Sequence, residues 1–296
     1  MAPVILFTYN RLNTLQKTVA ALQLNELSSE TDLFIFSDGA KNADQQKKVA
    51  AVRGYLKTIT GFKSVTVFES PVNKGLSQSI INGVTLILDR YGHAIVLEDD
   101  LVTSSNFLRF MNQALDFYKK NQSVASIAGF SYPMKGLGEK DIYFTLRTSS
   151  WGWATWKDRW AGIDWSVKDY PAFRSSKTQR RRFNRMGSDL TKMLERQMRG
   201  QRDSWAVRFC YHQFQKRLFT VFPAVSKVKN IGSEDGATHT IDRAGRFDTI
   251  LDVSGATDFH FSGEIKLPKK IIRQFTAHYS IYTRLKYKLL NILSNT

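Results

Sequence analysis

The chain has 296 residues, 42% of them hydrophobic, with a formal net charge of +17 and a pI of about 9.9. This predicts one large α/β domain with room for a small appendage, and the charge favours nucleotide phosphates, nucleic acid or an anionic membrane as partners. Cys210 is the single cysteine, which excludes an internal disulfide and a multi-cysteine zinc site. No apolar run approaches the ~18 residues of a membrane span.

Strands and helices alternate in the first hundred residues. Short apolar runs predict strands at 4–8, 32–37 and 64–68, and a fourth that begins at Ala94. Between them, apolar residues recur every three or four positions, which is typical of helices that face a core. This alternation indicates a parallel sheet wound in one hand, so we expect a Rossmann-like half of about 100 residues.

The fourth strand runs directly into three consecutive carboxylates, Glu98, Asp99 and Asp100. Acids this close repel one another unless a cation or a donor-rich ligand lies between them. Carboxylate oxygens suit hard divalent cations such as Mg²⁺ or Mn²⁺, which also bind phosphates. The cluster therefore predicts a metal or ligand site at the strand end. The alternative is an acidic turn that leads into a capped helix.

The loops after successive parallel strands end at the same edge of a sheet, where ligands bind in open α/β folds. Asn10, Arg11, Asp38 and Lys74 follow the first three predicted strands, so we expect them to face the same crevice as the acids. Asp38 could bind a nucleobase or ribose, and Arg11 and Lys74 could bind phosphates, although turn chemistry and solvated cations explain them equally well. The absence of GxGxxG and GxxxxGK(S/T) argues against a dinucleotide enzyme and a P-loop protein.

The second half of the chain is less regular. Residues 106–120 predict a helix, and strands are expected at 123–129, 142–147 and 218–224. Five of the six tryptophans lie within residues 151–165, where they either fill a core or form a platform for a sugar ring. Further on, a basic run at 177–185 reads as a solvated face, and a helix ends at Gly200.

Two later segments carry further candidates for the site. Asp203 opens a probable helix that runs through Phe214, where it is either a helix cap or a carboxylate aimed at a substrate hydroxyl. His239 lies in a polar loop, residues 227–240, that is long enough to close over a ligand. His239 could ligate a metal or donate a hydrogen bond to a phosphate. The alternative is a purely structural role.

The tail from Lys269 to Leu293 is amphipathic and basic. Its apolar residues recur at spacings of three, four and seven, and six lysines and arginines surround them. This pattern fits a helix lying on an anionic membrane, or one that packs on the domain with a basic outer face. We favour the membrane.

Taken in order, the motifs from Val4 to about His239 resemble the GT-A glycosyltransferases, and within them the N-acetylglucosaminyltransferase I-like group. Residues 4–11 resemble that group's opening strand and donor-binding arginine, so the resemblance implies that Thr8, Asn10 and Arg11 contact the donor. Residues 36–39 resemble its Asp-Gly turn that contacts the nucleotide base, which places Asp38 at the donor.

The acid cluster resembles that group's variant of the DxD motif. In that variant the last aspartate holds Mn²⁺, so the resemblance implies that Asp100 is the metal ligand. Glu98 and Asp99 then lie beside the donor, where Lys74 and His239 would share the charge of its phosphates.

The segment Asp203-Ser-Trp205 resembles the one that carries the catalytic base of the group. An alignment on Trp205 places the base at Ser204, but a serine hydroxyl near neutral pH needs a base of its own. We therefore assign the base to Asp203, with Glu234 or Asp235 as the next candidates. The segments 149–156 and 230–240 resemble bacterial sugar transferases that act on surface polysaccharide.

The resemblance implies an α/β GT-A fold, a Rossmann-like nucleotide-diphospho-sugar transferase fold with a mixed central sheet flanked by helices. We expect a GT-A domain at 1–265, with a nucleotide-binding half at 1–104 and an acceptor-side half at 105–265. A basic C-terminal helix would occupy 266–296.

The expected activity is a hexosyltransferase that uses Mn²⁺ or Mg²⁺ and moves a sugar, with inversion, from a nucleotide-diphosphate sugar to a glycan or lipid-linked glycan. The alternatives are a nucleotidyltransferase on a similar fold and a non-catalytic protein that binds nucleic acid or another anionic polymer. No nucleic-acid partner is expected for the transferase. We expect a cytoplasmic protein, with peripheral contact at the inner face of the plasma membrane as an option.

Overall fold

The structure, a computed structural model, describes residues 1–232 and 244–293. These residues form ten strands: β1 (Val4–Thr8), β2 (Asp32–Ser37), β3 (Ser64–Glu69), β4 (His93–Glu98), β5 (Leu101–Thr103), β6 (Val124–Ala128), β7 (Ile142–Thr145), β8 (Trp153–Trp156), β9 (Phe219–Pro223) and β10 (Val228–Asn230). The α-helices are α1 (Leu12–Gln23), α2 (Ala43–Leu56), α3 (Leu76–Tyr91), α4 (Phe107–Tyr118), α5 (Lys157–Trp160), α6 (Tyr170–Ser175), α7 (Lys177–Phe183), α8 (Leu190–Met198), α9 (Trp205–Lys216), α10 (Lys269–Ala277) and α11 (Ile281–Leu293).

Eight of the strands form a central sheet in the order β3-β2-β1-β4-β8-β6-β9-β7. The first four pair in parallel, as the alternation of strands and helices predicts, and β8 joins β4 to β6 in antiparallel register. A separate antiparallel pair, β5 with β10, lies directly after the acid cluster. The predicted fold class, α/β with a mixed central sheet flanked by helices, is confirmed.

Helices cover both faces of the sheet because each presents one apolar stripe to it. On one face α1 buries Leu15, Val19 and Leu22 in a core shared with α4. On the other face α3 buries Ile80 and Val84, together with neighbouring residues, beside three tryptophans. β1, β2 and β4, which lie inside the parallel half, read as nearly continuous apolar runs for this reason, whereas the edge strand β3 alternates polar and apolar residues.

Several elements differ from the sequence prediction. The short strands β5 and β10 were not predicted, because three residues are too few to show a periodic pattern. The tryptophan-rich segment contains a buried strand, β8. The basic run forms α7, with Phe183 turned into the core, and helix α9 begins at Trp205.

The predicted single helix from Lys269 to Leu293 is two helices. In α10, Ile271 and Phe275 are buried, and Phe275 has no exposed surface, so this half packs on the domain. The second half, α11, buries none of its side chains. Among the described residues, no helix combines the length and apolar character needed to cross a membrane. The division of the chain at residues 104 and 265 remains a prediction.

Candidate active site

A cavity of about 520 Å³ opens where β1, β2 and β4 end. Its lining includes Thr8, Asp38 and Glu98 from these strand ends and residues 202–206 at the start of α9. The carboxyl edge of a parallel sheet is where ligands bind in folds of this class. The cavity therefore joins the predicted donor-side residues to the predicted base.

The acid cluster is held in place by the end of β1. Asp99 is 3% exposed, and its Oδ2 accepts hydrogen bonds from Thr8 Oγ1 at 2.9 Å and from the backbone N–H of Tyr9 at 3.2 Å. The guanidinium of Arg11 contacts Asp99, and its Nη2 also lies 2.9 Å from Oδ2 of Asp100. Arg11 thus spans the two aspartates, and Thr8 fixes the turn between β4 and β5.

Burial and mutual repulsion set the protonation of the acids. Burial, together with the charges of Asp100 and Asp99, raises the pKa of Glu98 to about 8. Burial also raises the pKa of Asp99, against the opposing effect of the Arg11 charge. A cation brought next to Glu98 would relieve this repulsion, because an opposite charge stabilises the ionised carboxylate.

The acid cluster offers a divalent cation an incomplete set of ligands. Within residues 1–232 and 244–293, no three His, Cys, Asp or Glu side chains converge into a ready-made metal site. Both aspartates line the cavity, but Asp99 is engaged by Thr8, Tyr9 and Arg11, and the side chain of Asp100 is the more exposed of the two. One or two carboxylates together with substrate phosphates are the usual ligands of Mg²⁺. Asp100 therefore fits a hard cation that takes its other ligands from a phosphate group and water.

The carboxylate of Asp38 is occupied by hydrogen bonds from nearby loop residues. Its two oxygens accept from the backbone N–H groups of Gly39 (2.9 Å), Lys74 (2.8 Å) and Gly75 (2.9 Å), and from Nδ2 of Asn73 (3.1 Å). A carboxylate offers about four lone-pair positions, so these donors use most of its capacity. Asp38 fixes the loop from Asn73 to Gly75 against the end of β2, and that loop contributes to the cavity wall.

The remaining donor-side predictions differ in outcome. Asn10 lines the cavity and donates to the side chain of Gln45. Lys74 contributes its backbone N–H to Asp38, but its side chain is exposed and is not part of the cavity lining. His239 lies outside the described residues, as do Glu234 and Asp235.

Asp203 lies just before helix α9. The N-cap of α9 is Ser204, whose Oγ accepts from the N–H of Val207 at 3.4 Å, so the cap role considered for Asp203 belongs to Ser204. The carboxylate of Asp203 is 60% exposed, lines the cavity and accepts from Arg208 at 3.1 Å. The same nitrogen of Arg208 donates to Oγ of Ser77 at 2.6 Å, which links α9 to the start of α3.

Some residues of the cavity were missed by sequence reasoning. Trp151 and Phe247 pack edge to face with ring centroids 5.3 Å apart and form an aromatic part of the lining, to which Asp248 adds a further carboxylate. Residues 247 and 248 follow the polar loop, and no motif marks them. Of the two interpretations of the tryptophans, the surface for a sugar ring fits Trp151 alone.

Most of the tryptophan cluster is core. Trp153, Trp156 and Trp160 are at most 6% exposed, and Trp153 stacks on Trp205 with centroids 4.7 Å apart. Gly152 precedes this strand with a φ of +56°, and a side chain there would collide with Val228 of β10. The missing side chain at Gly152 therefore leaves room for β10, which pairs with β5 directly after the acid cluster.

No family model matches the chain, and no curated protein sequence matches it. Among solved structures, TarS residues 1–349 from S. aureus gives a TM-score of 0.43 at 11% identity, over 83% of this chain and 69% of that one. The mannosyltransferase PcManGT from Pyrobaculum calidifontis, in complex with GDP-Man and Mn²⁺, gives 0.40 at 13% identity over 53% of this chain. This chain spans 44% of the length of that protein.

A further similar structure is that of CMP:2-keto-3-deoxy-manno-octonic acid synthetase complexed with CTP. Its TM-score is 0.40 at 7% identity, over 78% of this chain and 92% of that one. At these identities and TM-scores the three likenesses carry no information about substrate or mechanism.

Proposed function

We propose that the chain is a GT-A glycosyltransferase that moves a hexose, with inversion, from a nucleotide-diphosphate sugar to an acceptor hydroxyl. The observation that carries the proposal is one cavity that is lined by the acid cluster, by Arg11 and by Asp203. Direct displacement needs a site for the leaving group and a base within reach of the same sugar, because both act at one carbon atom. The sheet order, with β3-β2-β1-β4 parallel and β8 antiparallel, is compatible with the GT-A interpretation.

The donor nucleotide would lie over the carboxyl ends of β1 and β2. The loop fixed by Asp38 forms the wall there, and Asn10 offers a polar side chain to the ribose or base. Asp38 would support this wall, with its oxygens already engaged by the loop. The proposed donor contacts of Lys74 and His239 remain open to test.

The diphosphate would lie near Arg11 and Asp100. Bound Mn²⁺ or Mg²⁺, held by Asp100, would supply Lewis-acid stabilisation of the charge on the leaving diphosphate. Arg11 orients Asp100 through their 2.9 Å contact and adds positive charge beside the phosphates. Glu98 contributes negative charge that favours cation binding once its proton has left.

The acceptor would enter beside Asp203. An acceptor hydroxyl has a high pKa, so a carboxylate must take its proton as it attacks. Arg208 holds the carboxylate of Asp203 and, through Ser77, ties its position to the donor-side helix α3. The aromatic side chains of Trp151 and Phe247 offer apolar surface for a sugar ring.

The test is a screen of purified protein against nucleotide sugars with Mn²⁺, with Mg²⁺ and with chelator. Released nucleotide diphosphate and the glycosylated acceptor are measured together. Metal-dependent release of the diphosphate supports the proposal. Consumption of a nucleoside triphosphate with release of pyrophosphate would instead establish a nucleotidyltransferase. Binding to DNA with strong salt dependence, without turnover of any nucleotide sugar, would establish a binding protein.

A further inference from the structure

Helix α11 has its apolar face turned to solvent. Ile281, Tyr282, Leu285, Leu289 and Ile292 are between 55% and 77% exposed. Four of them recur at spacings of four, four and three, which places them on one side of the helix with Tyr282 beside them. A helix packed on its own domain normally does the reverse and buries this stripe.

The more polar side of the same helix faces the protein. Thr283, Arg284, Tyr287 and Asn291 are all half-buried. Arg284 donates to Oγ of Ser188 at 3.0 Å, and Oδ1 of Asn291 accepts from the backbone N–H of Ala244 at 2.9 Å. The helix is therefore held in a fixed orientation that directs its apolar residues outward.

Positive charge borders the exposed face. Helical geometry places Lys288 on one edge of the apolar stripe and Lys286 on the other, and both are exposed. From Lys269 to the end of the chain there are six lysines and arginines and no aspartate or glutamate. In α10, Lys269, Lys270 and Arg273 are exposed while the apolar residues of that helix are buried.

We propose that α11 lies on the surface of an anionic phospholipid membrane, with its apolar face inserted among the lipids. An apolar stripe with lysines at its edges fits the boundary between acyl chains and headgroups, because lysine stems lie along the apolar layer while their ammonium groups reach the phosphates. A second copy of the chain is a poorer occupant. A symmetric contact through this face would bring the lysine edges of two copies together, with no carboxylate in α10 or α11 to pair with them.

The position of α11 connects this surface to the cavity. Asn291 binds Ala244, and the segment that starts there reaches the cavity three and four residues later, at Phe247 and Asp248. Arg246, in the same segment, donates to the carbonyl of His278 between α10 and α11 at 2.8 Å and 3.1 Å. A membrane bound to α11 would therefore lie beside a cavity wall, which suits a lipid-borne acceptor. That last step rests on the proposed function, whereas membrane binding does not.

The test uses the full chain and vesicles of phosphatidylglycerol and phosphatidylcholine in equal parts, with pure phosphatidylcholine vesicles as the uncharged comparison. Co-sedimentation at low and high salt gives the affinities. The assay contains no substrate, so its outcome does not depend on whether the proposed transferase activity is found. Wild-type protein should bind the anionic vesicles, and added salt should weaken the binding because charge attraction is screened.

The decisive variant is Leu285→Glu/Leu289→Glu. Its matched control is Leu24→Glu/Leu86→Glu, which makes the same charge change at leucines that are 76% and 51% exposed elsewhere on the surface. The face variant should lose vesicle affinity at least about tenfold more than the control, because it removes two leucines from the lipid contact. Thermal melting checks that both variants keep the fold.

A second pair of substitutions, Lys286→Gln/Lys288→Gln, tests the charged edges. This variant should weaken binding to the anionic vesicles by about tenfold or more and leave the uncharged vesicles unaffected. Absence of wild-type binding at low salt would overturn the proposal. Equal losses in the two leucine variants would do the same, because the net charge of the whole chain would then explain the binding. Dimers that only Leu285→Glu/Leu289→Glu dissociates, without a specific loss of vesicle affinity, would assign the face to a contact between copies.

Discussion

Nη2 of Arg11 lies 2.9 Å from Oδ2 of Asp100. The same guanidinium contacts Asp99, so one positive charge is shared between two carboxylates at the floor of the cavity. Both aspartates line the cavity, but Asp99 is held by this contact and by Thr8 with 4% of its side chain exposed, whereas 13% of the Asp100 side chain is exposed. The pair therefore separates the roles of two neighbouring acids: Asp99 fixes the turn, and Asp100 is the one placed to meet a ligand.

The first prediction concerns Asp100. Asp100→Ala should lower metal-dependent release of nucleotide diphosphate by about 10²–10³-fold, because a cation that stabilises the leaving group is worth several kcal/mol. The variant should keep its fold, since Asp99 retains Arg11 and Thr8. Asp116→Ala removes an exposed carboxylate on α4 and serves as the matched control. Turnover of Asp100→Ala within a factor of ten of wild type, at the same Mn²⁺ dependence, would refute the metal role.

The second prediction follows from Glu98, whose pKa is raised to about 8 from an ordinary value of 4.5. Between these two pH values the folded protein binds more protons than the unfolded chain, so stability must fall as pH rises through this window. In chelator-treated protein we expect a loss on the order of 2 kcal/mol between pH 5 and pH 8. Denaturant unfolding at several pH values measures it.

Glu98→Gln should flatten that dependence, because glutamine does not titrate. Glu139→Gln, at an exposed position, is the control and should keep the wild-type slope. A slope that Glu98→Gln leaves unchanged would show that other groups govern the pH dependence.

The donor side of the fold could be read from the sequence because its signals are local. Each apolar run of the first hundred residues is followed by a polar loop, and parallel topology brings those loops to one edge. Arg11, Asp38 and Asp100 were placed together by that rule alone. The rule does not specify side-chain partners, so it could not show that Asp38 faces its own loop or that Lys74 turns outward.

The acceptor side could be read only in part. Asp203 was found because it precedes a predicted helix and lies in the segment that carries the resemblance. The residue that caps the helix is its neighbour Ser204, and a sequence pattern does not fix a helix start to within one residue. Asp248 and Phe247 reach the cavity through tertiary packing between segments far apart in sequence. The break between α10 and α11 was missed for a related reason, since both halves share one amphipathic period and only packing separates their roles.

The third prediction concerns the loop held by Asp38. Asp38→Ala removes the acceptor for four donors and should lower the free energy of unfolding by about 2–4 kcal/mol, with part of the loss offset because water reaches the loop. The donor KM should rise as the loop loosens. Asp89→Ala removes a carboxylate that is 57% exposed on α3 and should change stability by less than about 0.5 kcal/mol. If Asp38→Ala left stability unchanged and altered only donor affinity, Asp38 would be a direct ligand of the nucleotide.

The last prediction concerns the base. Asp203 is exposed to the cavity and is oriented by Arg208. Ser204, not Asp203, caps helix α9. Asp203→Asn should lower kcat by about 10²–10⁴-fold, because asparagine keeps the shape and the contact with Arg208 but accepts no proton. Donor affinity should barely change, since the side chain meets the acceptor.

Two further variants make this result specific. Ser204→Ala should lower the free energy of unfolding by about 1 kcal/mol and preserve kcat in the folded protein, because it removes the cap alone. Asp248→Asn tests the alternative carboxylate of the cavity, which follows Phe247 in the chain rather than preceding a helix. If kcat falls in Asp248→Asn and survives in Asp203→Asn, proton transfer belongs to Asp248, and the ion pair of Asp203 with Arg208 only joins α9 to α3. If both variants lose turnover, the pH dependence of kcat for each separates them, since removal of the base also removes the rise in kcat that its ionisation produces.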